Sequence, residues 1–349
     1  MTAPSFLSHK QILEATAAFF GQPVLKLTAP GGRSRTSLRA YLADRSIIVS
    51  QRRDLDLAQI EINVLQALQG ATDHVPRFLG QSGTLVFQSD VGPNRLNWAV
   101  YTLPAAERPA LAARAIDALF DMQRAAQRVG LGPALPTAPI REHPDDNLIP
   151  MIGLFADQMS LPVIFDPAAL SPLFRAPPCR FVKWDCRAGN AALGDDSKIR
   201  WFDFEESRLA QGPEDFAWLI ADEAWPVDAD FMLTTIRDRL TDEDTTDPDS
   251  YMTYLQEFTA LQAMRRIRLI LRQAKSGGWL DRVSILKFDK VGANPHMGER
   301  LSLIGAALSQ RTPAIAALKP LFDSATHLFR QTRRPPGGPG APSDPARPV

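Results

Sequence analysis

Two aspartates and an asparagine in the middle of the chain have residue types and a spacing that point to chemistry. Asp185 is followed five residues later by Asn190, and Asp203 stands at the end of the next predicted strand. Magnesium prefers hard oxygen ligands, so one carboxylate and one amide oxygen beside nucleotide phosphates suffice to bind it. The first aspartate is then free to orient and deprotonate an attacking hydroxyl. Phosphoryl transfer requires little beyond this positioning and charge neutralisation.

Each of these residues also has a structural interpretation. Asp185 could cap a turn, and Asn190 could lie in a loop. Asp203 could pair with one of two nearby arginines, Arg187 or Arg200. Taken singly, each residue is explained well enough in this way. Taken together, in this order and between two strands, they favour the phosphoryl-transfer site.

The N-terminal third has the pattern of a small strand-rich lobe with one amphipathic helix. Alternating or β-branched residues predict four strands: Val24–Ala29, Ser37–Ala43, one that begins at Ile47-Ile48-Val49, and Thr84–Phe87. Apolar residues at helical spacing from Leu57 to Leu68 predict the helix, which Gly70 ends. A break at Pro30-Gly31-Gly32-Arg33-Ser34 separates the first two strands.

From Pro109 onward the pattern is mainly helical. Apolar residues from Leu111 to Ala126 mark one face of a long helix, and the proline-rich stretch that follows, to Pro172, is predicted as loops. Two short strands are predicted around the acidic block, at Arg180–Lys183 and Ile199–Phe202. Helices are predicted from beyond Asp215 to about Arg334, with breaks at Pro226, Pro248, Gly277-Gly278 and Pro295.

The composition of the 349 residues excludes several classes of protein. Hydrophobic residues make up 45% and charged residues 22%, as is usual for a globular chain. Lys and Arg number 39, as do Asp and Glu, so no net field favours a polyanion and no nucleic-acid partner is predicted. Two cysteines cannot form a disulfide scaffold, and the histidines lack zinc-ligand spacing. Without a membrane-length apolar run or a signal peptide, no membrane association and a cytoplasmic location are predicted.

The central block resembles a known family. The segments VKWDCRAGNAAL and IRWFDFEESRLAQGPEDFAWLI are similar to the aminoglycoside phosphotransferase and choline-kinase-like family of the protein-kinase-like fold. That family reads H-G-D-x-x-x-x-N, then a strand ending I-D-[WF]-E, then D-P-x-x-D-L-A. The resemblance implies an α+β bilobal fold, with a small mixed β-sheet lobe carrying one helix and a larger, mainly helical lobe. ATP and Mg²⁺ would bind between the lobes.

The resemblance also implies a role for each matching residue. Asp185 is expected to be the catalytic base. Arg187, which is not part of the family pattern, either offsets charge beside it or pairs structurally with a nearby acid. Asn190 and Asp203 are expected to bind the metal. Asp215 resembles the buried aspartate that holds the catalytic loop from the helix behind it.

Matching positions in the small lobe are expected to bind the nucleotide. Gly31 and Gly32 resemble the loop whose backbone amides approach phosphates. Glu61 resembles the helix glutamate that pairs with a strand lysine in kinases. Gln88 and Asp90 belong to the segment expected to face the adenine.

The chain departs from the family pattern at two places. Lys183-Trp184 replaces the H-G of H-G-D, and Ser50 stands where the strand carries its phosphate-binding lysine. Arg52 lies two residues further along and points to the same face. Its longer side chain, with a forked guanidinium, is therefore assigned to nucleotide binding. Arginine and lysine are not interchangeable at such a site.

The helical lobe contains further polar residues whose roles the sequence leaves open. One helix face carries three arginines, which either meet solvent and acidic partners or grip an acidic substrate: Arg265, Arg268 and Arg272. Three residues near the Asp215 helix either line a substrate pocket or pack structurally: Asp222, Glu223 and Trp225. Cys186 is predicted to be a small buried filler rather than a reactive thiol.

Three segments follow from these assignments. Residues 1–92 are predicted as a nucleotide-binding lobe and residues 93–334 as the mainly helical catalytic and substrate lobe. Residues 335–349, with six prolines and three glycines, are predicted as a disordered tail. Arg333, Pro336 and Pro339 also fit a basic-anchored PxxP ligand.

The predicted activity is an ATP- and Mg²⁺-dependent phosphotransferase, a small-molecule kinase. Its acceptor is a hydroxyl of a sugar, an amino sugar, an aminoglycoside or an amino alcohol. One alternative is a catalytically weak or inactive kinase-like protein that binds nucleotide or serves as a scaffold, because Ser50 replaces the lysine. Another is an acyl or nucleotidyl transferase on the same fold.

Overall fold

Residues 26–89 contain a five-stranded antiparallel sheet. It is seen in a computed structural model that describes residues 7–30, 32, 36–52, 54–138 and 147–333. The strands are β1 (Lys26–Thr28), β2 (Ser37–Tyr41), β3 (Ser46–Gln51), β4 (Phe78–Ser82) and β5 (Leu85–Ser89). Their spatial order is β1-β2-β3-β5-β4, so β3 lies at the centre and ends beside the helical part of the protein.

Two helices pack against this sheet lobe. Helix α1 (His9–Phe20) begins with a capping box between Ser8 and Gln11 and packs its aromatic end on Phe87 of β5. Helix α2 (Leu55–Leu68) begins at the N-cap Asp54. Its apolar face joins the core of the helical lobe, so α2 links the two parts of the protein.

The helical lobe holds the larger core. The helices that the structure describes there are α3 (Leu96–Thr102), α4 (Arg108–Arg128), α5 (Met151–Met159), α6 (Glu214–Ile220), α7 (Ala229–Arg239), α8 (Pro248–Gly277), α9 (Arg282–Phe288), α10 (Pro295–Arg311) and α11 (Lys319–Thr332). Two small antiparallel pairs lie within it: β6 (Arg180–Val182) with β9 (Arg208–Ala210), and β7 (Ala191–Leu193) with β8 (Ile199–Trp201).

The predicted fold class is confirmed, and some element predictions are wrong. The structure has a small sheet lobe and a larger helical lobe, as expected. The N-terminal third contains α1 in addition to the one predicted helix, and α5 lies in a stretch that was predicted as loops. Proline-rich sequence concealed α5, although Pro150 is compatible with its N-terminal boundary. Among the described helices, none is both long and apolar enough to cross a bilayer.

Candidate functional site

The β7–β8 hairpin brings two of the predicted site residues together. Asn190 comes directly before β7, and Asp203 follows β8 by two residues. Ala191 pairs with Trp201, and the amide of Phe202 donates to the carbonyl of Asn190 at 2.9 Å. The amide side chain and the second aspartate therefore lie at the same end of one hairpin.

Asp185 is bonded directly to Asn190. The Asn190 Nδ2 donates to the Asp185 carboxylate at 2.8 Å and to its carbonyl oxygen at 3.0 Å. Trp184, Asp185 and Asp203 all have left-handed backbone angles, with φ of 60°, 39° and 69°. Each such non-glycine residue costs about 1–3 kcal/mol, and these conformations cluster at functional sites. Trp184 takes this conformation where the H-G-D pattern has its glycine.

Arg187 holds the carboxylate of Asp185. Its Nε donates to Oδ1 at 2.7 Å, and a terminal nitrogen donates to Oδ2 at 3.2 Å. Its other terminal nitrogen contacts Asp289 at 3.3 Å. Burial acts to raise the pKa of Asp185, but the positive charges of Arg187 and, next, Lys183 outweigh it and hold that pKa well below its usual range. Asp185 is therefore an ionised acceptor at neutral pH.

Two buried aspartates anchor the backbone of this loop. Asp215, on α6, accepts hydrogen bonds from the amides of Lys183 at 3.0 Å and Trp184 at 2.8 Å. Asp222 accepts one from the amide of Ala188 at 2.7 Å. These bonds hold the loop before β7 near both of its ends, and the position expected for Asp215 behind the loop is confirmed.

Lys183 is fully buried beneath the same loop. Its Nζ lies 3.4 Å from the carbonyl oxygens of both Trp184 and Asp185, and 5.5 Å from the centre of the Phe204 ring. A lysine thus stands in place of the family's histidine. It contacts both the loop of Asp185 and the segment after Asp203. These contacts help to fix the position of one segment relative to the other.

Arg52 is surrounded by carboxylates. It follows β3 and donates to Glu61 at 2.6 and 3.0 Å, to Glu205 at 2.5 Å and to Asp203 at 3.2 Å. Burial, together with the charge of Asp203, raises the pKa of Glu205 to about 7 despite Arg52. Three carboxylates meet one guanidinium, so the cluster carries an excess of negative charge. Asp203 thus pairs with Arg52, and Arg200 pairs with Asp196 instead.

Glu61 connects the small lobe to the hairpin. Its fully buried carboxylate accepts hydrogen bonds from Gln88 at 3.3 Å and from the amide of Phe204 at 3.4 Å, in addition to those from Arg52. Ser50 is buried, and its hydroxyl lies 2.8 Å from that of Ser37 across the sheet. The kinase glutamate that Glu61 resembles pairs with a strand lysine, whereas Glu61 pairs here with Arg52.

A cavity of about 580 Å³ lies between the two lobes. Of the predicted site residues, those that line it are Arg52, Glu61, Gln88, Asp90, Asn190 and Asp203. Asp185 and Arg187 lie outside the lining and adjoin it through their bonds to Asn190 and Asp289. Gly32 has a left-handed φ of 91° and donates to Ala29 at 2.9 Å, while Gly31 is outside the described residues.

The side chain of Asp90 is engaged within the protein. Its carboxylate accepts hydrogen bonds from a terminal nitrogen of Arg39 at 2.9 Å, from Ser46 at 2.7 Å and from the amide of Gly92 at 3.0 Å. It also forms an ion pair with the Nε of Arg39 at 2.5 Å. It therefore stiffens the segment between the lobes. Any contact of this residue with a ligand in the cavity would come from its backbone.

For three residues of the helical lobe, Glu223, Trp225 and Cys186, the structure favours a structural role. Glu223 forms two bonds to Arg266 and accepts the amide of Gly292 at 2.8 Å, while Trp225 is fully buried against Met232. Neither residue lines the cavity, so the structural interpretation holds for both. Cys186 is also fully buried, and burial raises the pKa of its thiol, as expected of a filler.

The donors present suit a magnesium ion, although they do not form an all-carboxylate site. No group of three or more His, Cys, Asp or Glu side chains within the described ranges is arranged to hold a metal ion. Asn190, Asp203 and Glu205 present amide and carboxylate groups to one cavity. Magnesium typically takes one or two carboxylates and completes its shell with water and phosphate oxygens, so these residues fit it.

Comparison with known proteins gives a match in structure alone. No protein-family model and no curated protein sequence matches this chain. APH(2″)-IIa, solved with streptomycin and ATP, superposes with a TM-score of 0.51 at 14% identity, covering 84% of this chain and 99% of that one. Spectinomycin phosphotransferase APH(9)-Ia, solved with AMP, gives 0.52 at 12% identity, covering 85% and 98%.

The fold is that of the aminoglycoside phosphotransferases. The resemblance of the central block is therefore confirmed at the level of the fold. The aminoglycoside phosphotransferase fold is matched over most of the chain rather than over one lobe. At 12–14% identity the match does not extend to the reaction, which must be argued from the residues of the site.

Proposed function

We propose that this protein transfers the γ-phosphoryl group of ATP, in the presence of Mg²⁺, to a hydroxyl of a small molecule. The observation that carries the proposal is the bond between Asp185 and Asn190, beside Asp203 on the same hairpin and at the edge of the cavity between the lobes. Proteins of this fold have been solved with a nucleotide and an antibiotic together, including APH(9)-Ia with ADP and spectinomycin. The acceptor class is a sugar, an amino sugar, an aminoglycoside or an amino alcohol.

Asp185 is the residue that orients the acceptor. Its Oδ1 accepts one bond from Arg187, which leaves a second acceptor position on that oxygen for the substrate hydroxyl. The oxygen of that hydroxyl bonds to the γ-phosphorus as the bond to the bridging oxygen of ADP breaks. The hydroxyl proton passes to Asp185. Arg187 fixes the direction of the carboxylate and offsets its charge.

Asn190 and Asp203 would hold the metal. Bound Mg²⁺ supplies charge neutralisation to the phosphates. The short hairpin that joins these two residues, together with Lys183 and Asp215 behind the loop, keeps their positions relative to Asp185 constant. Such preorganisation is the main contribution of a protein to phosphoryl transfer.

The small lobe would bind the nucleotide. Gly31 and Gly32 are proposed to approach the phosphates, and the segment of Gln88 and Asp90 to face the base. Arg52 reaches a phosphate only if it releases Asp203 or Glu205, because its hydrogen bonds within the described residues all go to carboxylates. Glu61 would then remain its partner.

The bonds of Arg52 to carboxylates also favour a second candidate, a nucleotide-binding protein with weak or no catalysis. Ser50 is buried against Ser37, and Arg52 is held by three acids. If those bonds persist when nucleotide binds, the strand provides no phosphate contact. Nucleotide would then bind in the cavity without efficient transfer.

One set of assays separates the two candidates. ADP release is measured with Mg²⁺ across amino sugars, hexoses, aminoglycosides and amino alcohols, for the wild type and for Asp185→Asn. We expect turnover on at least one acceptor and a loss of roughly 10²–10⁴-fold in the variant, the usual contribution of a general base. ATP binding without turnover would support the second candidate. Absence of ATP binding would contradict both.

A further inference from the structure

Among the described residues that line the cavity, few positive charges are available to a triphosphate. The cations among its described lining residues are Arg39, Arg52, Arg95 and Lys287. Arg39 is bonded to Asp90 and Arg52 to its three carboxylates, while the guanidinium carbon of Arg95 lies 5.9 Å from the centre of the Phe202 ring. A phosphate chain that enters the cavity needs a cation to offset its charge.

Lys287 differs from Arg39 and Arg52 because no carboxylate among the described residues pairs with it. It lies in α9 of the helical lobe, and its exposed side chain lines the cavity opposite the sheet. Within the described part of the chain it makes no ion pair, and its ammonium lies 5.4 Å from the centre of the Phe288 ring. A strongly hydrated ammonium on a flexible stem can follow a ligand without first breaking an ion pair.

The backbone around Lys287 is firmly held. The neighbouring Leu286 is buried, and its carbonyl accepts a bond from Asn97 of α3 at 3.2 Å. On the other side, Asp289 contacts Arg187 at 3.3 Å. The ends of the segment are joined by a bond from the amide of Leu280 to the carbonyl of Ala293 at 2.7 Å. The position of Lys287 is therefore set by packing, although its side chain is exposed.

We infer that Lys287 binds the polyphosphate of the nucleotide, in place of the strand lysine that Ser50 has replaced. The positive charge then comes from the helical lobe, on the side opposite β3. This inference rests on the proposed use of ATP and adds a binding residue to it. It explains how the cavity accepts a polyanion while Arg52 stays with its carboxylates.

The test compares two lysines of the same segment. Lys290 also lies near Phe288, with its ammonium 5.3 Å from the ring centre, but it does not line the cavity. Lys287→Met, Lys287→Arg and Lys290→Met are prepared in the full chain. Their affinities for ATP, ADP, AMP and adenosine are measured by calorimetry with Mg²⁺ and at two salt concentrations.

We expect Lys287→Met to weaken ATP binding about tenfold or more, the usual worth of a charge-assisted bond. The affinity of Lys287→Met for adenosine should equal that of the wild type. Lys287→Arg should retain most of the wild-type affinity for ATP, and Lys290→Met should bind ATP as the wild type does. Equal ATP affinity in Lys287→Met and Lys290→Met would overturn the inference. Wild-type protein that does not bind ATP would instead refute the proposed function, so the two failures are distinguishable.

Discussion

Two buried arginines in this protein bind carboxylates in different ways. Arg266, on α8, forms a two-bond pair with Glu223, whose carboxylate also accepts the amide of Gly292. Arg52, beside the cavity, is shared by three carboxylates, those of Glu61, Asp203 and Glu205. The first is a one-to-one pair that does not border the cavity. The second has more acid than base and lies open to it.

This difference distinguishes a balanced ion pair from an acidic cluster that borders the cavity. Although burial acts to raise the pKa of Glu223, its bonds to Arg266 lower it, so that pair is balanced. Around Arg52 three carboxylates share one guanidinium, and the pKa of Glu205 rises to about 7. An unbalanced acidic cluster costs stability unless a cation binds there, and such clusters are typical of functional sites.

The largest expected difference between the two arginines is in activity. Arg52→Met should lower kcat by roughly 10²-fold, the usual cost of losing one preorganised donor, because Asp203 loses its partner. Arg266→Met should leave kcat in the folded protein within about threefold. Both are measured by ADP release at saturating substrate. Equal losses in the two variants would show that Arg52 is as structural as Arg266.

The expected order is reversed for stability. Arg266→Met should lower the free energy of unfolding by about 3–5 kcal/mol, because it leaves Glu223 buried without its partner. The double variant Arg266→Met/Glu223→Gln, which keeps an oxygen acceptor for the Gly292 amide, should recover most of that loss. Arg52→Met should destabilise less, because Glu205 is partly exposed and can take up a proton, and because the buried Glu61 keeps its bonds from Gln88 and from the amide of Phe204. Urea unfolding at pH 7 provides the measurement, and no recovery in the double variant would contradict the pairing argument.

A smaller effect is expected in the pH dependence of stability, and it comes from the neighbouring Asp222. Burial, with the charge of Glu223 next to it, raises its pKa from 3.8 to about 6. Because the folded protein then binds more protons than the unfolded chain between about pH 4 and 6, this residue makes stability fall as pH rises through that window. The effect is on the order of 1–3 kcal/mol. Asp222→Asn should remove it, which the difference between variant and wild-type unfolding curves at pH 4.5 and 7 would reveal.

The sequence predicted the parts of the site that lie close together along the chain. Asp185, Asn190 and Asp203 fall within nineteen residues and are joined by one hairpin, so spacing alone brought them together. The sequence also indicated Arg52 as a substitute for lysine. Its bonds to Asp203 and Glu205 were not foreseen, because these residues lie 151 and 153 residues away along the chain.

Residues contributed by distant segments were missed for the same reason. Asp289 contacts Arg187 across 102 residues, and no local pattern marks it or Lys287 as part of the site. Helix α1 is a different case, because the capping box of Ser8 and Gln11 was visible in the sequence. Non-local packing limited the site prediction, while an overlooked local signal limited the fold prediction.

The left-handed Trp184 gives this protein an optical reporter of its own site. Its half-buried indole lies directly before Asp185, 4.1 Å from the guanidinium carbon of Arg208 and 6.1 Å from the ring of Trp218. An acceptor bound at Asp185 would change the solvent around this ring, whereas a nucleotide would change it around Trp98 in the cavity. Fluorescence of Trp98→Phe and Trp184→Phe proteins would therefore follow the two substrates separately, without any label.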